Sequence, residues 1–212
     1  MARVPVAGRV KTRLAREVGL AEATRFYRAT LAAVVGRLAA DSRWETLVAV
    51  APDSGVASRA LPHRVRRIGQ GAGDLGHRMQ RPMRVLPPGP VCVIGTDIPG
   101  IRPADIRRAF RALGGADAVL GPAEDGGFWL VGLRRRPHVL WPYAGVRWSQ
   151  PDTLAAVMAN LENHPVALTA CHSDVDTARD LARLGHLVGR RILPLGHADT
   201  LPRDAAVHPM VA

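Results

Sequence analysis

The sequence predicts an α/β fold built on a largely parallel, doubly wound sheet. Short apolar runs alternate with amphipathic helical stretches along most of the chain. One run, Val91-Cys92-Val93-Ile94, is apolar without interruption and ends on Gly95-Thr96-Asp97. A continuous apolar run suits a strand covered on both faces, as parallel sheets require. Strands that alternate with helices build crossover units.

Residues 4–10 hold Pro5, Gly8 and small side chains, and read as a loop. A helix is expected from about Thr12, breaking near Gly19 and resuming at Leu20 or Ala21 to about Ala40. Phe26, Thr30, Val34 and Leu38 give its second piece one inward stripe at four-residue spacing. Residues 46–51 read as a short buried strand ending at Pro52-Asp53, and residues 65–68 as another. Leu75, Met79, Met83 and Leu86 mark an amphipathic helix, in which Pro82 predicts a kink or an early stop. After the strand 91–94 come a helix over 103–113, strands over 118–120 and 128–133, a helix over 151–161, a strand over 166–168 and a helix over 177–187. The periodicity fades from Arg190, so residues 1–189 are expected to form one domain and 190–212 a loosely ordered extension. A phosphate-binding loop between strand and helix normally follows a strand. Only four residues precede Pro5, so the first strand is expected to be largely missing.

Composition narrows the function classes. The chain has 212 residues, 47% of them apolar, with two cysteines and a formal charge of +11. No apolar run approaches the ~18 residues of a membrane span, and the N-terminus has no signal-peptide core, which points to the cytoplasm. Cys92 and Cys171 form neither a disulfide framework nor a metal cluster. All but one of the 29 basic residues are arginine, spread along the chain and without interleaved aromatics. That pattern reads as a dispersed basic surface and ranks nucleic-acid binding last. The exception, Lys11, stands where a compact ammonium would be needed and a planar guanidinium would not fit; chance survival explains it equally.

Five segments carry chemistry. In Pro5-Val-Ala-Gly8-Arg-Val-Lys11-Thr12-Arg13-Leu14, a glycine-containing loop runs into a helix start. Its backbone N–H groups would face an anion there, and Lys11 and Arg13 add charge. It is neither a P-loop nor a dinucleotide fingerprint. Asp97 directly follows a buried strand, at the sheet edge where open α/β folds bind ligands, and is placed to hold Mg²⁺ or Mn²⁺. Asp174 and Asp176 lie two apart, so both carboxylates project to one side of an extended segment, and both are candidates to hold the metal with Asp97. Asp176 or Thr177 serves equally as an N-cap, with Asp180 in the first helical turn. Glu124-Asp125-Gly126-Gly127 is a turn that also offers a general base. Gly71, Gly73 and Arg78 belong to a glycine-rich loop entering a helix, suited to a phosphate. The histidines show no zinc spacing, His172 reads as ordinary surface, and no serine-hydrolase elbow is present.

Together and in this order, PVAGRVKTRL, QGAGDLGHRM, GTDIPG, GPAEDGGFWLVGL and DVDTARDL resemble a bacterial GT-A-like, nucleotide-diphospho-sugar transferase-like family. Its members are often labelled glycosyltransferases, some of arsenosugar biosynthesis. The set is also distantly similar to guanylyltransferases acting on phospholactate or phosphoenolpyruvate. The resemblance implies a Rossmann-like, GT-A-like sheet with helices on both faces and, in this chain, a truncated first strand. It implies that Lys11 and Arg13 contact nucleotide phosphates and that Asp97 with Asp176 holds the metal. The expected function is transfer of a sugar from a nucleoside-diphosphate donor to an unknown small acceptor, with Asp125 or Glu124 as base. Nucleotidyl transfer to a phosphorylated acceptor is the alternative, and a non-enzymatic basic binding module the second.

Overall fold

A computed structural model describes residues 1–188; the expected extension, 190–212, lies outside the described residues. Three parallel strands, β1 (Ala2–Arg3), β2 (Leu47–Ala51) and β3 (Arg66–Gly69), form one sheet in the order β1-β2-β3. Four more form a second, ordered β4 (Val91–Ile94), β6 (Phe128–Leu133), β5 (Ala118–Pro122) and β7 (Val166–Leu168). Only β6 runs against its neighbours, because it returns from β5 through the tight turn at Gly126-Gly127. The Met1 nitrogen donates to Ile94 O at 2.7 Å and Thr96 Oγ1 to Met1 O at 2.9 Å, which ties β1 to the end of β4. The first strand is therefore present, as two residues in parallel register with Val50 and Ala51.

Helices cover both faces, and the strand pleat decides which side chain faces which. Ala118 and Leu120 of β5, with Val131 and Leu133 of β6, pack on Met79 and Met83 of α3 (Leu75–Val85) and on Val157 of α5 (Thr153–Ala159). Their alternates Val119 and Leu130 pack on Val34 and Leu38 of α2 (Leu20–Ala39) and on Ile106 and Ala109 of α4 (Pro103–Ala112). Each of the valine, leucine, isoleucine and methionine side chains among them contributes about 1.5–3 kcal/mol by its burial. The stripe Phe26, Thr30, Val34 and Leu38 is buried throughout.

Two expectations are corrected. Pro82 does not stop α3, which runs on to Val85, with Pro82 O accepting from Leu86 N. Burial of Met79 and Met83 on the core face offsets the bond lost at the proline. His172 is not ordinary surface: its ring packs edge-on against Trp129 and lies 3.3 Å from the buried Asp105 carboxylate.

Candidate active site

The site is assembled by packing that points three loops at one place. α1 (Thr12–Val18) follows Gly8, whose φ of +76° turns the chain into the helix start. Lys11 is the residue before that helix and holds a left-handed φ of 45°, a conformation that costs a non-glycine residue about 1–3 kcal/mol. Its side chain caps nothing. Instead it runs inward, 5% exposed, and its ammonium lies 3.0 Å from Asp97 Oδ2, 2.8 Å from Asp176 Oδ1 and 3.7 Å from Asp174 Oδ2. Arg13 reaches Asp176 Oδ2 from the exposed side at 3.4 Å.

Each carboxylate has its own reason to be there. Asp97 leaves the end of β4, where Gly95 N donates to Trp129 O and fixes the turn. Val175 is fully buried among Leu14, Phe26 and Leu181 of α1, α2 and α6 (Ala178–Leu184). With Val175 pointing in, extended geometry aims both Asp174 and Asp176 at Lys11. The choice of cap is also decided. Thr177 Oγ1 accepts from Asp180 N at 3.1 Å, and the Asp180 carboxylate accepts from the Asp176 and Thr177 backbone amides. Thr177 caps the helix and leaves Asp176 free for the lysine.

Burial opposes the Lys11 charge, but Asp97, Asp176 and Asp174 override it and hold its pKa above the ordinary lysine value. Partial burial opposes the Asp97 charge, yet Lys11 keeps its pKa below the usual carboxylate value. Asp174 is pushed up to about 6, first by burial and then by Asp176, Asp97 and Asp125, against the pull of Lys11. Negative charge is therefore in surplus here.

A hard divalent cation suits such a donor set, all of it carboxylate oxygen. Among the described residues no three His, Cys, Asp or Glu side chains are grouped as ligands for one ion. The point of convergence is held by the Lys11 ammonium. The residues present fit an ion that takes one or two carboxylates and completes its shell with water and nucleotide phosphate oxygens, the habit of Mg²⁺.

The other expected residues lie around this centre. A pocket of about 910 Å³ is lined by Gly8, Thr12 and Arg78, with Gly71 and Ala72 of the second glycine loop. Gly73, at φ +97°, shapes that loop and accepts from Arg78 Nε through its carbonyl, without lining the pocket. The Glu124-Asp125 turn is pinned beside Asp174 through Glu124 N to His172 O and His172 N to Pro122 O. Asp125 is exposed and accepts from Gly127 N; Glu124 is exposed and paired with Arg183 at 3.2 Å. A Cβ at Gly126 would sit 2.1 Å from Pro151 O, so this turn can carry no side chain there.

A family model described as "Uncharacterized protein conserved in bacteria (DUF2064)" matches residues 31–150, more than half of the chain. The chain belongs to the DUF2064 family. The match holds Asp97 and Asp125 but neither Lys11 nor the Asp174-Asp176 pair. A likeness in structure covers more of the chain. A crystal structure from Desulfovibrio desulfuricans G20, provisionally described as a nucleotide-diphospho-sugar transferase, superposes with a TM-score of 0.78. It is 27% identical and is matched over 90% of this DUF2064 chain and 86% of its own. The crystal structure of Rv0371c from Mycobacterium tuberculosis H37Rv has a TM-score of 0.50 at 21% identity, over 86% of this chain and 92% of that one, and speaks for the fold alone. A comparison with curated proteins finds no match. The family resemblance read from the motifs and the nucleotide-diphospho-sugar transferase-like fold are thus borne out.

Sequence reasoning missed Arg3, Arg9 and Asp53, all of which line the DUF2064 pocket. Asp53 was open to the rule that found Asp97, since it too follows a buried strand, β2; its Oδ1 accepts from Gly71 N at 2.9 Å and so fastens the second glycine loop.

Asp174 sets a pH dependence. Its folded pKa, about 6, exceeds the ~3.9 of an unfolded aspartate, so the proton favours the fold. That contribution is complete below pH ~4 and is lost as pH rises through about 6; above it the charged group destabilises. With its side chain 36% exposed, screening reduces the effect to about 1 kcal/mol. Asp174→Asn is expected to raise the melting temperature at pH 8 by roughly 2–4 °C and to leave it unchanged at pH 4. A lower melting temperature at pH 8 would show that the carboxylate is needed for the fold.

Proposed function

We propose that this DUF2064 chain is a metal-dependent transferase that takes a sugar from a nucleoside-diphosphate donor. The observation that carries the reading is the junction of two features: the Lys11 ammonium among Asp97, Asp174 and Asp176, and a pocket of about 910 Å³ lined by Arg3, Arg9, Arg78 and Thr12, the residue next to Lys11. Acids alone would repel a diphosphate and arginines alone would bind any anion. Their adjacency suits a phosphate chain that arrives with a divalent cation. The similarity to the Desulfovibrio protein supports this donor class.

In this reading the cation, held by Asp97 and Asp176, would supply electrostatic stabilisation of the leaving diphosphate. Gly8 lets the backbone approach the phosphates, and the amide of Thr12 at the start of α1 faces them. Arg78, tethered to Gly73 O, and Arg13 add positive charge on the solvent side. Asp125, beside Asp174 and exposed, is the base for an acceptor hydroxyl; Glu124 is the lesser candidate because Arg183 engages it.

Nucleotidyl transfer remains the second reading, favoured by the three arginines at the pocket, more cationic charge than a diphosphate requires. A thermal-shift screen of nucleoside triphosphates, diphosphates and diphospho-sugars, with and without Mn²⁺, tests both. A manganese-dependent shift for one diphospho-sugar is the expected result. A shift confined to a triphosphate would transfer the assignment to nucleotidyl chemistry, and no shift with any nucleotide would overturn both.

A further inference from the structure

His172 stands where the three segments that carry the candidate acids cross. Its side chain is 20% exposed and packs edge-on against Trp129, with ring centroids 4.8 Å apart. Trp129 donates from Nε1 to Ala170 O, and its carbonyl accepts from Gly95 N, two residues before Asp97. The backbone of His172 donates to Pro122 O and accepts from Glu124 N, which fixes the turn that carries Asp125. Two residues further along the same extended segment comes Asp174.

On the far side of the ring, Nε2 lies 3.3 Å from Oδ2 of the buried Asp105. Asp105 caps the start of α4, where it accepts from Arg102 N and from Arg108. The approach of the imidazole is close but poorly aligned. Among the described residues Nε2 has no hydrogen-bond partner, although it is buried. A buried polar group left in that state is costly, and such a group in a folded protein calls for a reason. The connectivity supplies one. Asp97 and Asp105 belong to one segment, His172, Asp174 and Asp176 to another. A small approach of the two segments would align the imidazole on Asp105 and, in the same movement, bring the acids of both segments closer.

We propose that His172 is a positioning residue of the cation site, a role that rests on the transferase reading. It touches neither cation nor donor. Its bond to Asp105 is completed when a divalent ion draws Asp174 and Asp176 toward Asp97, and it sets the separation at which those acids meet the ion. A contact made in full only with the ion bound strengthens ion binding by as much as the ion strengthens the contact. The Glu124-Asp125 turn travels with the segment through the two backbone bonds of His172. Groups that orient metal ligands from outside commonly govern affinity by about 10–100-fold.

The test is a titration of Mn²⁺ into the full chain, followed by electron paramagnetic resonance, in the presence of pyrophosphate, the inorganic counterpart of the donor's diphosphate. His172→Phe keeps a ring against Trp129 and removes the nitrogens. His172→Gln returns an N–H that can reach Asp105. The phenylalanine variant is expected to bind Mn²⁺ roughly 10–100-fold more weakly, and the glutamine variant to recover most of that loss. Binding of pyrophosphate without metal, read by calorimetry, should be the same in both variants and wild type, because His172 does not line the arginine-bearing pocket. Unchanged Mn²⁺ affinity in the phenylalanine variant, or no recovery with glutamine, would overturn the positioning role and leave the transferase reading standing. A matching loss of metal-free pyrophosphate binding would also overturn it, since the site as a whole would then have collapsed. A wild type that binds no Mn²⁺ would overturn both.

Discussion

Lys11→Met is expected to lower the melting temperature by roughly 4–8 °C at pH 7, on a loss of about 2 kcal/mol, and to make the chain more responsive to manganese. Methionine keeps the apolar stem and removes the charge. Breaking a buried ion pair by deleting one partner costs about 3–5 kcal/mol. The carboxylates left behind are 33–38% exposed, and solvent screening brings that figure down to about 2. The pH profile follows from the signs. The Lys11 pKa is raised, so its contribution is complete below the unfolded value of ~10.4 and is lost only as pH rises through the folded one. The Asp97 pKa is depressed, so its contribution is present above ~3.9 and lost as pH falls through the folded value. The gap between wild type and variant should be widest near pH 9 and narrow as pH falls through about 6 toward 4, where first Asp174 and then the other orphaned acids protonate. Millimolar Mn²⁺ should restore more stability to the variant than to wild type, because a cation can then take the place of the ammonium. Calorimetric scans across pH, with and without the metal, check this. A variant as stable as wild type, or one indifferent to manganese, would mean that the three acids form no cation site.

Asp97→Asn is expected to abolish the manganese-dependent nucleotide shift and to reduce turnover of the donor by roughly 10²–10³, the usual loss on removing one preorganised electrostatic partner. The change is isosteric, and Lys11 keeps Asp176 at 2.8 Å and Asp174 at 3.7 Å. The unliganded melting temperature should therefore move by no more than roughly 2–4 °C. Such a profile, a stable protein without metal-linked binding, separates a ligand of the cation from a structural acid. Turnover is read as release of the nucleotide from whichever donor the screen identifies. Unimpaired release by the variant would remove Asp97 from the site.

The order of elements was legible because apolar periodicity is a local property. The break at Gly19, the stripe on α2, and strands 91–94, 128–133 and 166–168 all follow from residues within a few positions of one another. The direction of β6 was not legible, since pairing is settled by partners far along the chain. Asp97 was legible as a ligand of something, from its place after a buried strand. That the first claimant on it is Lys11, 86 positions earlier, was not.

By itself, then, the sequence determined the class of fold, the positions of the helices and strands, and the short list of charged residues from which a site could be made. Lys11 stood out there because every other basic residue is arginine and because it closes the glycine loop ahead of a helix start. The tertiary structure decided how those charges combine. Buried Val175 turns Asp174 and Asp176 toward the lysine, Thr177 takes the cap that Asp176 was equally able to form, and Arg183 draws Glu124 to itself. Such choices depend on desolvation and on distances between segments far apart in the chain, and neither quantity exists until the helices have packed on the sheet.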